Sequence, residues 1–117
     1  MRKDGDGIKE RSYEFALRII ILVRSIPSSR DGNVLGRQVL RSGTSIGANV
    51  EATGAFSIGD FIFKMNTASK EARETHYWLR LIRDSAILPP RRMNSIVNET
   101  EDIKNILGAI VRSSRRK

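Results

Sequence analysis

The chain reads as all-α, an antiparallel up-down-up-down four-helix bundle, and three observations predict it. Phe61, Met65, Ala68, Ala72, Thr75, Leu79 and Ile82 recur at alternating steps of four and three, which lays one apolar seam along a helix. Three other stretches carry seams of similar period, separated by short segments that hold Pro, Gly or Ser. Helices joined by such short connections lie antiparallel to their chain neighbours. The helix expected over 58–85 is the longest and spans about 40 Å at 1.5 Å per residue. Any other segment that buries an apolar stripe must lie alongside it.

Residues 1–11 are polar, with Gly5 and Gly7, and are expected to form a flexible lead-in. The bundle is placed over 12–113. Ser12 is the candidate N-cap of a first helix over 12–26, which Pro27, Ser28 and Ser29 stop. Phe15, Ile19, Leu22 and Ile26 make its seam, while Leu17 and Ile21 fall on another side. That helix is apolar over more of its circumference than one core needs. A contact with another subunit, or cover by a loop or tail, would account for the surplus.

A turn at Arg30–Asn33 leads to a second helix over 34–53, with Leu35, Val39, Ile46 and Val50 on its core side. Gly36, Gly43, Gly47 and Gly54 line up in one narrow band beside them. Each glycine in a helix interior costs roughly 1 kcal/mol relative to alanine, so the stripe predicts close approach of a neighbour. Ser42, Ser45 and Asn49 also lie on or near the core side, where a buried polar group needs a partner. Thr75 and Glu71 on the third helix are the expected partners in a structural polar network.

Ser57 or Asp60 can cap the third helix, whose far side carries Phe63, Tyr77, Trp78 and Leu81. These suit a core edge, a subunit contact or base stacking. The fourth helix, over 90–113, starts at Pro90, which a first turn tolerates. Its seam is Met93, Ile96, Thr100, Ile103, Leu107 and Ile110, and a basic tail over 114–117 follows.

Composition restricts the chemistry. There is no cysteine, hence no disulfide, thiolate metal site or cysteine nucleophile. The only histidine, His76, has Arg73 three residues before it where a di-iron bundle requires glutamate. No phosphate loop or nucleophile elbow occurs. No cofactor, no metal and no enzymatic activity are expected. No apolar run approaches the ~20 residues of a membrane span, the start lacks the order of a signal peptide, and the cytoplasm is the expected compartment.

Lys and Arg outnumber Asp and Glu by 21 to 13, a formal charge of +8 with a pI near 10.6. Such a surface seeks polyanions. A non-enzymatic protein that binds RNA or DNA through phosphate contacts is the leading expectation, with Arg37, Arg41, Arg73, Arg80, Arg112, Arg115, Arg116 and Lys117 as candidate contacts. The alternative is a protein-interaction scaffold whose basic surface serves solubility or an acidic protein partner.

Two stretches add a resemblance. Leu40 to Ala52, reading LRSGTSIGANVEA, and Lys70 to Leu81, reading KEARETHYWLRL, resemble the bacterial four-helix-bundle proteins encoded within intervening sequences of 23S ribosomal RNA genes. Ser12 to Ala16 and the Asp60-Phe61 junction fit as well, so the likeness covers roughly 12 to 88. Thr53 departs from the family, which more often has a second glutamate there. The resemblance implies a four-helix bundle assembled as a ring, a homopentamer. It extends to the accessory variability proteins of diversity-generating retroelements, basic barrels that bind nucleic acid and a reverse transcriptase. Ribosomal RNA and a reverse transcriptase are thus implied partners, and no family catalytic residue exists to transfer.

Overall fold

In the computed structural model, which describes residues 4–54 and 57–116, α3 runs over Ile58–Asp84 and is the element against which the rest is arranged. Its 27 residues contain no proline, and Ser57 opens it by accepting the backbone N–H of Asp60, with Asp60 in the first turn where the helix dipole favours an acid. Met65, Ala68, Ala72, Thr75, Leu79 and Ile82 of the expected seam are buried, and Phe61 is half-buried. α2 (Arg30–Glu51) packs on one flank of that seam and α4 (Pro90–Arg115) on the other. α1 (Asp4–Arg24) closes against α2 along its length and meets α4 over a shorter stretch, while the backbones of the diagonal pairs stay further apart. All described regular structure is helical, and the molecule measures 46 × 25 × 21 Å. Among the described residues no helix is long and apolar enough to cross a membrane.

On three helices, α1, α2 and α4, the boundaries differ from the sequence reading by two residues or more. α1 begins at Asp4, so Ser12 is no N-cap. It lies buried inside the helix, its hydroxyl donating to the Lys9 carbonyl. The reason is Ile8, only 2% exposed, which carries the seam of Phe15, Ile19 and Leu22 back through the supposed lead-in. α2 begins at Arg30, because Ser29 accepts the N–H of Gly32 and turns Arg30–Asn33 into a first helical turn. It ends at Glu51, which leaves Gly54 outside the helix and exposed. On α4, Val111 replaces Ile110 as the last buried seam position, and the helix continues to Arg115, through half of the expected tail. Residues 1–3 and Lys117 lie outside the described residues.

The glycines of α2 let α1 come close. A Cβ at Gly43 would sit 2.9 Å from Ile19 Cγ1, and one at Gly47 would sit 3.3 Å from the Ser12 carbonyl oxygen. Both partners are buried and fixed, so neither can give easily. Across the other face of α2, the Thr75 and Ser42 hydroxyls lie 2.8 Å apart, and Thr75 donates to the Glu71 carbonyl at 2.8 Å. Ser45 donates to the Glu71 carboxylate at 3.1 Å, and the Asn49 amide donates to the Ser45 carbonyl at 2.9 Å and to its hydroxyl oxygen at 3.2 Å. These five side chains join α2 to α3, and no buried side-chain polar atom among the described residues lacks a partner.

Where α1 and α4 meet, polar bridges replace much of the apolar contact. Arg11 grips Glu99 with two bonds of 2.7 and 2.8 Å and reaches Asp102 at 3.4 Å, while Arg18 donates to Ser95 and Arg92 to Ser25. The hydrogen bond from Arg11 is the main cause that holds the Glu99 carboxyl below its ordinary range, and it raises Arg11 in turn. A carboxyl lowered by folding adds stability above its unfolded pKa. That contribution disappears as pH falls through the folded value.

α3 ends in a Schellman motif, with Ile87 N–H donating to the Ile82 carbonyl and Ala86 N–H to the Arg83 carbonyl. Ala86 occupies the left-handed position, at φ 60°, where glycine is the usual residue.

The Gly43 packing and the Ala86 strain give a pair of opposed expectations. Gly43→Ala should destabilise by about 1 kcal/mol or more, since overpacking against Ile19 outweighs the gain in helix propensity. Ala86→Gly should stabilise by up to about 1 kcal/mol by removing left-handed strain. Urea unfolding of both variants checks the two signs, and the general helix preference for alanine gives the opposite sign at Gly43.

Candidate nucleic-acid interface

Burial of the α3 seam fixes where its flanks point. Towards α2 it presents Glu71, Glu74 and Trp78, and towards α4 it presents Asn66, Ser69, Arg73 and His76. Because α3 and α4 are antiparallel, the first half of α3 faces the last half of α4. Asn66, Ser69 and Arg73, at helical steps of three and four, meet Lys104, Asn105, Gly108, Val111, Arg112 and Arg115. Two small residues sit in this run, Ser69 on α3 and Gly108 on α4, and the helices there leave an open groove of about 300 Å³. The Arg112 guanidinium lies beside Gly108, 3.3 Å from where a Cβ would stand.

The groove is cationic. Of the nine described residues that line it, four are Arg or Lys, two are Asn, and none is Asp or Glu. Lys104 is paired with Glu101 one turn earlier. Arg73, Arg112 and Arg115 have no ion-pair partner among the described residues, in contrast to Arg11, Arg41 and Arg83, which hold Glu99, Glu71 with Glu74, and Asp84. Three unpaired guanidiniums beside two amides form a set of planar, charged hydrogen-bond donors. Phosphate oxygens match such a set bidentately.

The sequence-predicted cations therefore separate. Arg73, Arg112 and Arg115 are brought together, and Arg116 follows as the C-cap of α4. Arg41 is tied to Glu71 and Glu74 on the α2–α3 side. Arg80 stands over the Tyr77 ring, 5.9 Å from its centroid. Arg37 lines a different, mainly apolar depression between α1 and α2, beside Val23, Ile26 and Leu40. Lys104, Asn66, Asn105, Ser69 and Gly108 were not among the candidates. Their signal is the facing register of two antiparallel helices, which no single helix displays.

Histidine 76 sits on the same flank, with Nε2 3.5 Å from a Glu101 carboxylate oxygen. Burial is the first cause that lowers its pKa, Glu101 opposes it, and Arg80, Lys104 and Arg83 add to it. It is held towards the neutral form. Among the described residues no group of three or more acidic or histidine side chains is placed to hold a metal ion.

The candidate assembly residues fall on two opposite sides. Leu17 and Ile21 are 46% and 63% exposed on the outer face of α1, with Tyr13 one turn before them. Phe63 and Tyr77 are exposed on the outer face of α3, while Trp78 and Leu81 are half-buried. Trp78 packs against the core, meets Tyr77 edge to face and donates to Glu74 at 3.3 Å.

Comparison with known proteins places this geometry. The model of a family described as 23S rRNA-intervening sequence protein matches residues 7–109. A crystal structure from Bacteroides thetaiotaomicron, described as a protein with unknown function from the S23 ribosomal protein family, is similar at 40% identity and a TM-score of 0.86. The match covers 94% of this chain and 99% of that one. No curated protein matches the chain.

Proposed function

This chain belongs to the family of 23S rRNA-intervening sequence proteins, and from that premise we propose that it is a non-enzymatic, oligomeric protein that associates with nucleic acid through the α3–α4 groove. One observation carries the reading: Arg73, Arg112 and Arg115 line one groove with no ion-pair partner among the described residues, beside a Lys104 that Glu101 holds. Like charges gathered without counter-ions repel, and a polyanion relieves that repulsion while releasing its own condensed cations. The ribosomal RNA in the family's description makes RNA the first nucleic acid to test. A reverse transcriptase, implied by the resemblance to retroelement accessory proteins, is the protein partner to test beside it.

Assembly rests on the two apolar strips. α1 and α3 lie on a diagonal of the bundle, so their outer faces look in opposite directions. A patch on one side that fits a different patch on the other makes a head-to-tail interface, which closes into a ring where the rotation per subunit divides a full turn. A ring of five would carry a formal charge of about +40 and bind by avidity.

Two measurements follow. Affinity for a single-stranded RNA should fall steeply between about 50 and about 300 mM salt, with a log-log slope near −0.7 per phosphate neutralised. The double variant Arg73→Gln/Arg112→Gln should weaken binding and flatten that slope by about 1 or more. A flat salt response, or no binding at low salt, overturns the nucleic-acid reading. In light scattering the intact chain should exceed the 13.2 kDa of one protomer, and Leu17→Ser/Ile21→Ser should shift it towards a folded monomer. A wild-type monomer in dilute buffer overturns the assembly reading.

A further inference from the structure

Beyond association with nucleic acid, and resting on that reading of the same groove, we infer that the α3–α4 groove selects a terminal phosphate monoester over the internal phosphodiesters of a strand. Charge balance carries this. An internal phosphodiester bears one negative charge. A terminal phosphate bears about −1.5 to −2 at pH 7 and offers three strong acceptor oxygens.

Arg73, Arg112 and Arg115 line the groove of about 300 Å³ without an ion-pair partner among the described residues, and Lys104 is already engaged by Glu101. The carbonyl end of α4, which supplies two of these arginines, contributes roughly half a negative charge. About two and a half positive charges are left, well beyond what one diester neutralises and close to what a monoester does. The Asn66 and Asn105 amides add uncharged donors, which suit several oxygens on one phosphorus.

The lining also says what is not read. No Phe, Tyr, Trp or His lines the groove, so it lacks the stacking platform by which base-binding surfaces hold a strand. The phosphate, and not the base beside it, is therefore the recognised group. Two sources present this chemistry, the 5′ end of a strand and a free mononucleotide.

The test compares one 12-nucleotide single-stranded RNA carrying a 5′-phosphate with the same RNA carrying a 5′-hydroxyl, each labelled at its 3′ end, on the full chain at low salt. The 5′-phosphorylated strand should bind at least about tenfold more tightly. Arg112→Gln should abolish that difference, and Arg91→Gln, at the opposite end of α4, should leave it intact. AMP as competitor separates the sources: displacement at the strand's own affinity assigns the groove to mononucleotides, and much weaker displacement assigns it to strand ends. Equal affinity for the two strands, with both weakened by Arg112→Gln, overturns the selectivity while the groove still holds the backbone. Equal affinity that Arg112→Gln does not change overturns the selectivity and the groove reading together.

Discussion

Every feature of this protein follows from the need to bury one side of α3 between two neighbours. Once Met65, Ala68, Ala72, Thr75, Leu79 and Ile82 turn inward, rotation about the helix axis is fixed, and with it the direction of every other α3 side chain. The flank that meets α2 carries acids, Glu71 and Glu74, and Arg41 answers them from across the interface. The flank that meets α4 carries Asn66, Ser69 and Arg73, and α4 answers with further cations. The first interface is compensated by these pairs, whereas in the second Glu101 reaches only His76 and Lys104 and leaves the three groove arginines unpaired among the described residues. This asymmetry, produced by packing, creates the groove.

The distribution of carboxylates makes the same point for the whole chain. With 21 basic and 13 acidic residues, some cations must stand alone. Glu99 and Asp102 engage Arg11 where α1 meets α4, Asp84 engages Arg83, and Glu101 lies between His76 and Lys104. These pairs are partly exposed, and pairs of that kind contribute little individually to stability. Their effect is to decide where positive charge is left uncovered. One place where it is left is the second half of α4 and the facing part of α3, beside a gap flanked by Ser69 and Gly108.

Much of the fold was legible in the sequence because hydrophobic period is a strong signal. The α3 bounds, the start of α4 at Pro90 and the close approach at Gly43 and Gly47 could all be read from spacing. The start of α1 could not, since Ile8 stands among polar residues and two glycines and shows its role only in the folded core. The start of α2 was hidden in a Ser-Arg-Asp-Gly run that resembles a turn and is a capped first turn. The groove was half legible. Arg73, Arg112 and Arg115 could be named from charge, but their meeting depends on the register between two helices, and Arg41 loses its freedom to acids 30 and 33 positions away.

The unpaired arginines of the α3–α4 groove are the point on which this account stands. Their side-chain Nε–H signals in NMR spectra, followed as a single-stranded RNA is added, report on them directly. The account predicts that Arg73, Arg112 and Arg115 shift first and most, while Arg11 and Arg83, held by their own carboxylates, stay in place. Shifts confined to arginines outside the groove, with these three unmoved at saturation, would contradict it.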